Sequence, residues 1–444
     1  MVSTFDGTNW HDTILAADLA VNGGTTLSLD CVSATFCAAS GVYYDVNNVF
    51  RPFASTFDGL NWTSVELAQN LQLGVSPWRY GSVGAWSVSC TSASFCAVVG
   101  GVVGQPGGDT QPFASTFDGT SWSDGVIPPS YPGFLGYLVS VSCWAANACT
   151  AGGFSEETPP VVLRELAVTL SGSGWSAPEE VAPSQTNWFM NGGFGPMSVS
   201  CPSATWCGVL GMNLTNYDQA APTFAEGAQG SWSNSSPLAG APAGLAGRIW
   251  SQSSTIACSA VNVCRITGNS PVAGDPNTAT QAYVGSLASG TWTMNKVAPP
   301  EATGASYAFG ISCPTTQWCG TSGKYTDSSG KDHAFVSTID GSTVTPFIVA
   351  TDVNAGGLNQ MGQLSCPTTT FCVTGGSAIN AQGDVQDFVS VGFFGLTPTT
   401  TTSDPRPSLP ATGASTGSTV LIGGFLMSTG ALLVSARRMR AWRL

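Results

Sequence analysis

Along most of the chain, apolar residues alternate with small polar ones over runs of four to eight positions, the period of strands with one face buried. Ser87 to Gly100, SVSCTSASFCAVVG, shows the pattern: an alternating run ends in Cys90, five residues intervene, and an apolar run starts at Cys96. The same arrangement recurs at Cys31/Cys37, Cys143/Cys149, Cys201/Cys207, Cys258/Cys264, Cys313/Cys319 and Cys366/Cys372, with first cysteines 53 to 59 residues apart. The residues between the cysteines are turn formers, as in Pro-Ser-Ala-Thr-Trp at 202–206 and Pro-Thr-Thr-Thr-Phe at 367–371. The chain therefore reverses there, and the two sulfurs face each other across a hairpin at bridging distance. A second hairpin follows in each unit: PFASTFDGLNW at 52–62 and PFASTFDGTSW at 112–122 run through Asp-Gly, a strong hairpin turn, into a Trp that opens the next strand.

Each unit thus predicts four short antiparallel strands. Seven such units without helical stretches predict an all-β chain, a seven-bladed β-propeller of four-stranded antiparallel blades over residues 1–396. Trp10, Trp62, Trp122, Trp175, Trp232 and Trp292 occupy one repeat position, and packing between neighbouring blades is their expected role. The second hairpin drifts to Gly172-Ser-Gly-Trp175 and Ser289-Gly-Thr-Trp292, and then to Asp340-Gly341 with no Trp after it, so the Asp is expected to serve the turn rather than chemistry. The chain opens in mid-unit. The last unit, from Cys366 to Gly395, lacks a fourth strand, which the Asn9–Trp10 segment is expected to supply.

Composition sharpens the assignment. Among 444 residues only 9% are charged, with Gly 54 and Pro 27, as suits many thin cores and tight turns. The 14 cysteines fall into seven regular pairs, which points to disulfides and an oxidising compartment. Two histidines, His11 and His333, do not provide zinc sites for seven Cys pairs, and no metal or cofactor is expected. Residues 1–396 hold eight of the 13 basic residues and 25 of the 26 acidic ones, a net charge of −17 that repels nucleic acid. Residues 1–17 show neither the basic start nor the apolar core of an export signal; the expectation is a start codon placed too late, since the tail described below requires export.

Two sets of loops differ in kind. Those joining the first to the second strand and the third to the fourth are short and repetitive. The others are longer and irregular, and such loops on a rigid scaffold are where binding resides. They carry Trp78, Arg79, Tyr80, Tyr137, Trp188, Arg248, Trp250 and Tyr307, the candidate ligand face, with Tyr43, Tyr44, Arg51, Tyr217 and Tyr325 nearby. Aromatic planes among a few polar groups suit sugar rings or a partner protein.

After a Thr/Pro-rich linker at 397–408 comes Leu409-Pro410-Ala411-Thr412-Gly413, a small polar spacer, the uncharged apolar run 419–436, and Arg437, Arg438, Arg440 and Arg443. The run is long enough for a transmembrane helix, and the arginines hold its end in the cytoplasm. The tail over 409–444 resembles the LPxTG cell-wall sorting signal of Gram-positive surface proteins. The resemblance implies a sortase that cuts between Thr412 and Gly413 and joins Thr412 to peptidoglycan, hence an extracellular, wall- or membrane-held protein. SCPSATWCGVLG, which contains Cys201 and Cys207, resembles the SCPS-x-x-FC repeats of secreted actinobacterial propeller proteins. The hairpin STFDGTSW at 115–122 resembles the Asp-box of sialidase-type propellers, with the Asp one residue late; Asp-boxes are turn elements away from the active site.

These readings give a wall-anchored surface protein that binds a glycan or protein. A glycosidase or lyase of sialidase-like type on the same scaffold, or a structural stalk without a ligand, are the alternatives. A sialidase-like site needs an arginine triad, a tyrosine nucleophile with a glutamate, and an acidic proton donor. No set of residues in the sequence makes that site evident, and no catalytic residue is assigned.

Overall fold

The computed structural model describes the strands and short turns between Val2 and Phe393; residues 70–82, 104–109, 127–134, 187–197, 239–254, 272–279, 350–356, 380–384 and 394–444, with shorter stretches elsewhere, lie outside the described residues. Every described element is a strand or a turn. The fold is all-β: five antiparallel four-stranded sheets, one of six strands, one of three and an N-terminal two-stranded hairpin.

Each sheet is a meander of consecutive strands, so contacts stay local. The first consists of Gly24–Ser33, Phe36–Tyr44, Phe50–Phe57 and Trp62–Glu66. Sheets two to seven begin with Gly84–Ser92, Leu135–Ala145, Ser198–Ser203, Ile256–Ala260, Ser306–Ser312 and Gly357–Thr368. In the third, three short strands (Gly174–Trp175, Glu179–Glu180 and Gln185–Thr186) take the outermost place. The first strand of each sheet packs beside that of the next, although between sheets five and six the second and third strands of sheet five take most of the contact. The first strand of sheet seven packs beside that of sheet one, so the succession closes on itself.

All seven expected disulfides are present: Cys31–Cys37, Cys90–Cys96, Cys143–Cys149, Cys201–Cys207, Cys258–Cys264, Cys313–Cys319 and Cys366–Cys372. No cysteine is free. The Cα atoms of each pair are 3.9 to 4.1 Å apart, as for directly opposed residues in a ladder. The second cysteine of a pair points into the gap between sheets. Cys96, Cys149, Cys207, Cys264, Cys319 and Cys372 are all within 1% of complete burial. These sulfurs are parts of the core, shielded from solvent thiols, and the bridges are structural staples rather than exposed reactive sites.

Between the cysteines the chain turns tightly, and the third-to-fourth-strand turn lies against it. A Cβ on Gly59 would be 3.4 Å from Thr35, and one on Gly119 3.2 Å from Ser94. These glycines have φ of +98° and +96°, a conformation costly for any residue with a Cβ. The two short sets of turns thus share one end of each sheet.

The Ser-x-Ser-Cys pattern has a cause that alternation alone does not reveal. A first strand is a sheet edge, and its outward amides need acceptors. The residue before the first cysteine supplies one to the next sheet: Cys143 N donates to Ser89 Oγ at 3.1 Å, Cys201 N to Ser142 Oγ at 2.9 Å, and Cys258 N to Ser200 Oγ at 2.8 Å. Cys366 N donates to Ser312 Oγ at 3.0 Å, Cys31 N to Ser365 Oγ at 3.4 Å, and Cys90 N to Asp30 Oδ2 at 2.8 Å. The seventh position is Ala257, which has no side-chain acceptor. Two residues earlier the device repeats, as Ser87 Oγ accepts from Val141 N at 3.1 Å and Ser140 Oγ from Val199 N at 3.0 Å.

Apolar side chains fill the gaps between neighbouring sheets. Phe36 and Ala38 of sheet one pack with Val98, Phe113, Phe117 and Trp122 of sheet two, and Ala97 of sheet two packs with Val168, Leu170 and Trp175 of sheet three. The recurring Trp therefore lies against a small residue that follows the second cysteine of the preceding sheet. Sheet six breaks the rule: Val344 stands opposite Ile339, where Trp292 stands opposite Leu287 in sheet five. In sheet five, Arg265 replaces the small residue after the second cysteine; it is 8% exposed and donates from Nη2 to Gly341 O of sheet six at 3.4 Å, and among the described residues its Nε has no partner.

The N-terminal hairpin pairs Val2–Phe5 with Trp10–Thr13. Sheet seven has three strands, and its outer strand Val385–Phe393 is contacted by Val2–Phe5. The strand at Trp10, expected to take that place, pairs with Val2–Phe5, and it is Val2–Phe5 that approaches the outer strand of sheet seven.

Candidate ligand face

In sheets one and six, the end opposite the disulfide turns carries a cluster of polar and aromatic groups. In sheet six, Tyr307 opens the first strand, Lys324 and Tyr325 end the second, and Asp332 and His333 open the third, so the ladder brings all five to one edge. Lys324 Nζ is 2.9 Å from Asp332 Oδ2 and stands 5.4 Å from the centre of the half-buried Tyr307 ring. Thr326 Oγ1 donates to Asp332 Oδ1 at 2.6 Å. Tyr307 also stacks on Phe309, with ring centres 6.4 Å apart.

The loop that joins these strands is held by Asp327. Its Oδ1 accepts from Ser329 N at 2.8 Å and Lys331 N at 3.0 Å, and its Oδ2 lies 2.8 Å from His333 Nε2. The Ser329 hydroxyl, then His333 and the Lys331 amide, hold this carboxyl well below the usual carboxylate range. His333 stacks on Tyr325 at 5.1 Å, and burial, with the charges of Glu301 and Asp327, pushes the Tyr325 phenol up.

Sheet one carries the same device. Asp45 Oδ1 accepts from Asn47 N at 2.8 Å and Val49 N at 3.0 Å, and Oδ2 accepts from Arg51 Nε at 3.1 Å. Burial opposes ionisation there, but the Val49 and Asn47 amides and then Arg51 outweigh it and hold the carboxyl low. Arg51 also lies 3.6 Å from Glu66, which accepts a hydrogen bond from Tyr43 Oη at 2.6 Å. Tyr43 is 3% exposed, and burial followed by the Glu66 bond pushes its phenol up. The sequence signal, overlooked in reading single residues, is Tyr-x-Asp followed by a basic residue six positions after the Asp: Tyr43, Asp45, Arg51 and Tyr325, Asp327, His333.

Of the candidate ligand face, Trp78, Arg79, Tyr80, Trp188, Arg248 and Trp250 lie outside the described residues, as does Tyr217. Tyr137 is described and buried; its ring packs 5.2 Å from Phe154, and its hydroxyl accepts from Thr110 Oγ1 at 3.4 Å. Tyr307 keeps part of its ring open. Leu409, Pro410, Ala411, Thr412, Gly413 and the apolar run 419–436 also lie outside the described residues, and among the described ones no helix is long and apolar enough to cross a membrane. Among the described residues no group of His, Cys, Asp or Glu could hold a metal ion.

At the opposite end, Asp58 Oδ1 accepts from Leu60 N at 2.9 Å and Asn61 N at 2.7 Å, and Asp118 makes the equivalent pair of bonds. The Asn61 amide is the main cause of the lowered Asp58 pKa. These aspartates are engaged by their own turns.

No protein-family model matches the chain, and no curated protein matches it. Solved structures similar to it include a PL25 ulvan lyase (9% identity over 80% of this chain and 90% of that one, TM-score 0.47). The β-propeller domain of the Trilobed protease from Pyrococcus furiosus is similar at 7% identity over 83% and 97%, TM-score 0.44. The lectin of Aleuria aurantia is similar at 11% over 77% and 99%, TM-score 0.38. At such identities the likeness carries nothing about substrates.

Proposed function

We propose that this chain is a cell-surface binding protein. Residues 1–396 form a seven-bladed β-propeller, 397–408 a linker, and 409–444 a sorting signal with a transmembrane helix over 419–436. The supporting features are the seven disulfide-closed units in closed succession and the tail's match to LPxTG. In this reading a sortase cuts after Thr412 and peptidoglycan receives the new carboxyl end of the chain, so the propeller stands outside a Gram-positive cell. Its loop end, with Tyr307, Lys324 and the residues of the outer loops, takes a glycan or a protein.

The observation that carries the binding role is the partly open Tyr307 ring fixed beside an ion pair, Lys324–Asp332, at the end of a rigid sheet. An aromatic face with anchored polar groups recognises sugar rings at little entropic cost. Full-length protein in detergent, probed on a glycan array, is expected to retain a defined set of sugars, with Tyr307→Ala weakening binding at least about tenfold. Silence on every sugar, together with no retained surface protein, overturns the reading. For anchoring, Thr412→Ala is expected to shift the protein from the covalent wall fraction to membrane and medium; an unchanged wall fraction refutes the sortase step.

The second reading is a glycosidase or lyase. Its support is the Tyr43–Glu66 pair beside Arg51, residue types that a sialidase-like site uses. Against it, Tyr43 is buried and held protonated, and among the described residues one arginine rather than three meets the pair. Release of reducing ends from sialosides or acidic polysaccharides, lost in Tyr43→Phe, would raise this reading above the first.

A further inference from the structure

The succession of side-chain-to-amide bonds between sheets has one member of different chemistry. Five of the six acceptors before a first cysteine are serines, and the sixth is Asp30. It stands where the cycle of first strands closes. Cys90 N of sheet two donates to Asp30 Oδ2 at 2.8 Å, and Ser365 Oγ of sheet seven donates to Asp30 Oδ1 at 3.4 Å, across 335 residues of sequence. Ser365 Oγ in turn accepts from Cys31 N at 3.4 Å. One carboxyl group therefore bridges the first, second and last sheets, at the junction of first strands that joins the two ends of the described chain.

We infer that Asp30 is a proton-controlled clasp, which holds this closure more firmly when its carboxyl is protonated than when it is ionised. A serine at this place is neutral at every pH, so the serine-capped junctions have no such dependence. The residue as a whole is half-buried, but protein surrounds its carboxyl, and that desolvation raises it from 3.8 to about 6 despite the Cys90, Ser365 and Cys31 donors. Among the described residues no cation faces it to offset the charge. The strands packed against the one that carries it, Gly24–Ser33, are Phe36–Tyr44, Gly84–Ser92 and Gly357–Thr368. Their only other titratable side chains are Tyr43, Tyr44 and the disulfide-bonded cysteines. Both tyrosines sit at the loop end, Tyr43 turned to Glu66 and Tyr44 packed 4.3 Å from Phe50.

On protonation the geometry has a natural place for the hydrogen. Cys90 N can only donate, so Oδ2 stays an acceptor, and Oδ1 takes the proton and donates to Ser365 Oγ, reversing that bond. The folded-state pKa lies above the unfolded one, so the favourable contribution is complete below about pH 4 and is lost as pH rises through about 6. A shift of about two units corresponds to roughly a hundredfold in the opening equilibrium of the closure. The clasp does not depend on what the loop end binds.

Hydrogen–deuterium exchange of the full-length oxidised protein tests this between pH 4.5 and 8, with rates corrected for intrinsic exchange. Wild-type segments 28–33, 86–92 and 363–368 are expected to lose protection, roughly thirtyfold over this window, as pH rises, while 141–145, capped by serines, does not change. Asp30→Asn, which keeps the shape of the protonated form, is expected to abolish the pH dependence; Asp30→Ser, which restores the repeat, does the same if the Asn variant folds poorly. A wild-type profile in either variant, a flat wild-type profile, or a loss shared equally by 141–145 overturns the inference.

Discussion

Exchanging Arg265 and Val344 for the residues that other junctions use tests how the sheets are held together. At the junctions of sheets one with two and two with three, a Trp from the following sheet packs with Ala38 or Ala97 of the preceding one. Between sheets five and six the equivalent positions hold Arg265 and Val344, and the guanidinium reaches Gly341 across the gap. If Arg265 fills the space that Val344 leaves, each single change should harm and the pair should rescue. Arg265→Ala removes a buried stem, at a cavity cost of about 2–5 kcal/mol, and relieves a desolvated cation with an unpartnered Nε, worth about 1–3 kcal/mol in return. The net loss is then about 1–2 kcal/mol. Val344→Trp alone pushes an indole against the arginine and costs about 1–3 kcal/mol through overpacking. Carried together, the two changes restore an Ala–Trp pair, and the coupling should offset most of the summed cost, about 2–3 kcal/mol in favour of the double variant. Melting of the four proteins measures it, at about 2 °C or less per kcal/mol for a chain of this size. Single effects that add within about 0.5 kcal/mol would show that the two residues do not share one space.

Two further outcomes follow from the turns. Removing one bridge with Cys90→Ser and Cys96→Ser should cost about 2 kcal/mol, because the closed loop is short, and leave the far-ultraviolet circular dichroism unchanged; an unaltered melting temperature would mean that the ladder alone holds the hairpin. Asp58→Asn should lower the melting temperature above about pH 4, and the difference should shrink as pH falls below that value. The native carboxyl titrates below its unfolded value of 3.8, so its contribution exists above that value and vanishes as pH falls through the folded one. A difference that does not shrink at all as pH falls below about 4 would refute the turn-bond account.

The sheets and their disulfides were legible because each rests on a local, repeated signal: alternation, a five-residue turn between cysteines, and Asp-Gly before Trp. Which strand of the N-terminal hairpin would meet Val385–Phe393 was not, because both strands suit an edge and only the packing decides. The paired exceptions at Arg265 and Val344 were each visible as oddities, one a basic residue after a cysteine and the other a missing Trp. Their connection was hidden because the partners lie on different sheets, 79 positions apart by residue number. Asp30 was passed over for a related reason. A carboxylate on an alternating strand has the pattern of a solvent-facing group, and the contacts that bury it, Cys90 N and Ser365 Oγ, come from sheets distant in sequence. At the loop end, Tyr307 was recognised as a candidate but Asp327 and Asp45 were not, since an Asp in a polar loop carries no signal until its repeated spacing to the basic residue is noticed.

These exceptions separate two kinds of position in the repeat. The serines, the small residue after the second cysteine and the Trp are coupled between sheets, so a change in one requires an answer in its neighbour. The Asp45 and Asp327 loops are closed on themselves by their own amides and by a basic residue six positions on, within one sheet. Loops that satisfy their own polar groups can vary without disturbing the junctions. The loop end is therefore free to diversify for recognition while the disulfide end is not, and substitutions that alter binding without altering melting should map to the loop end.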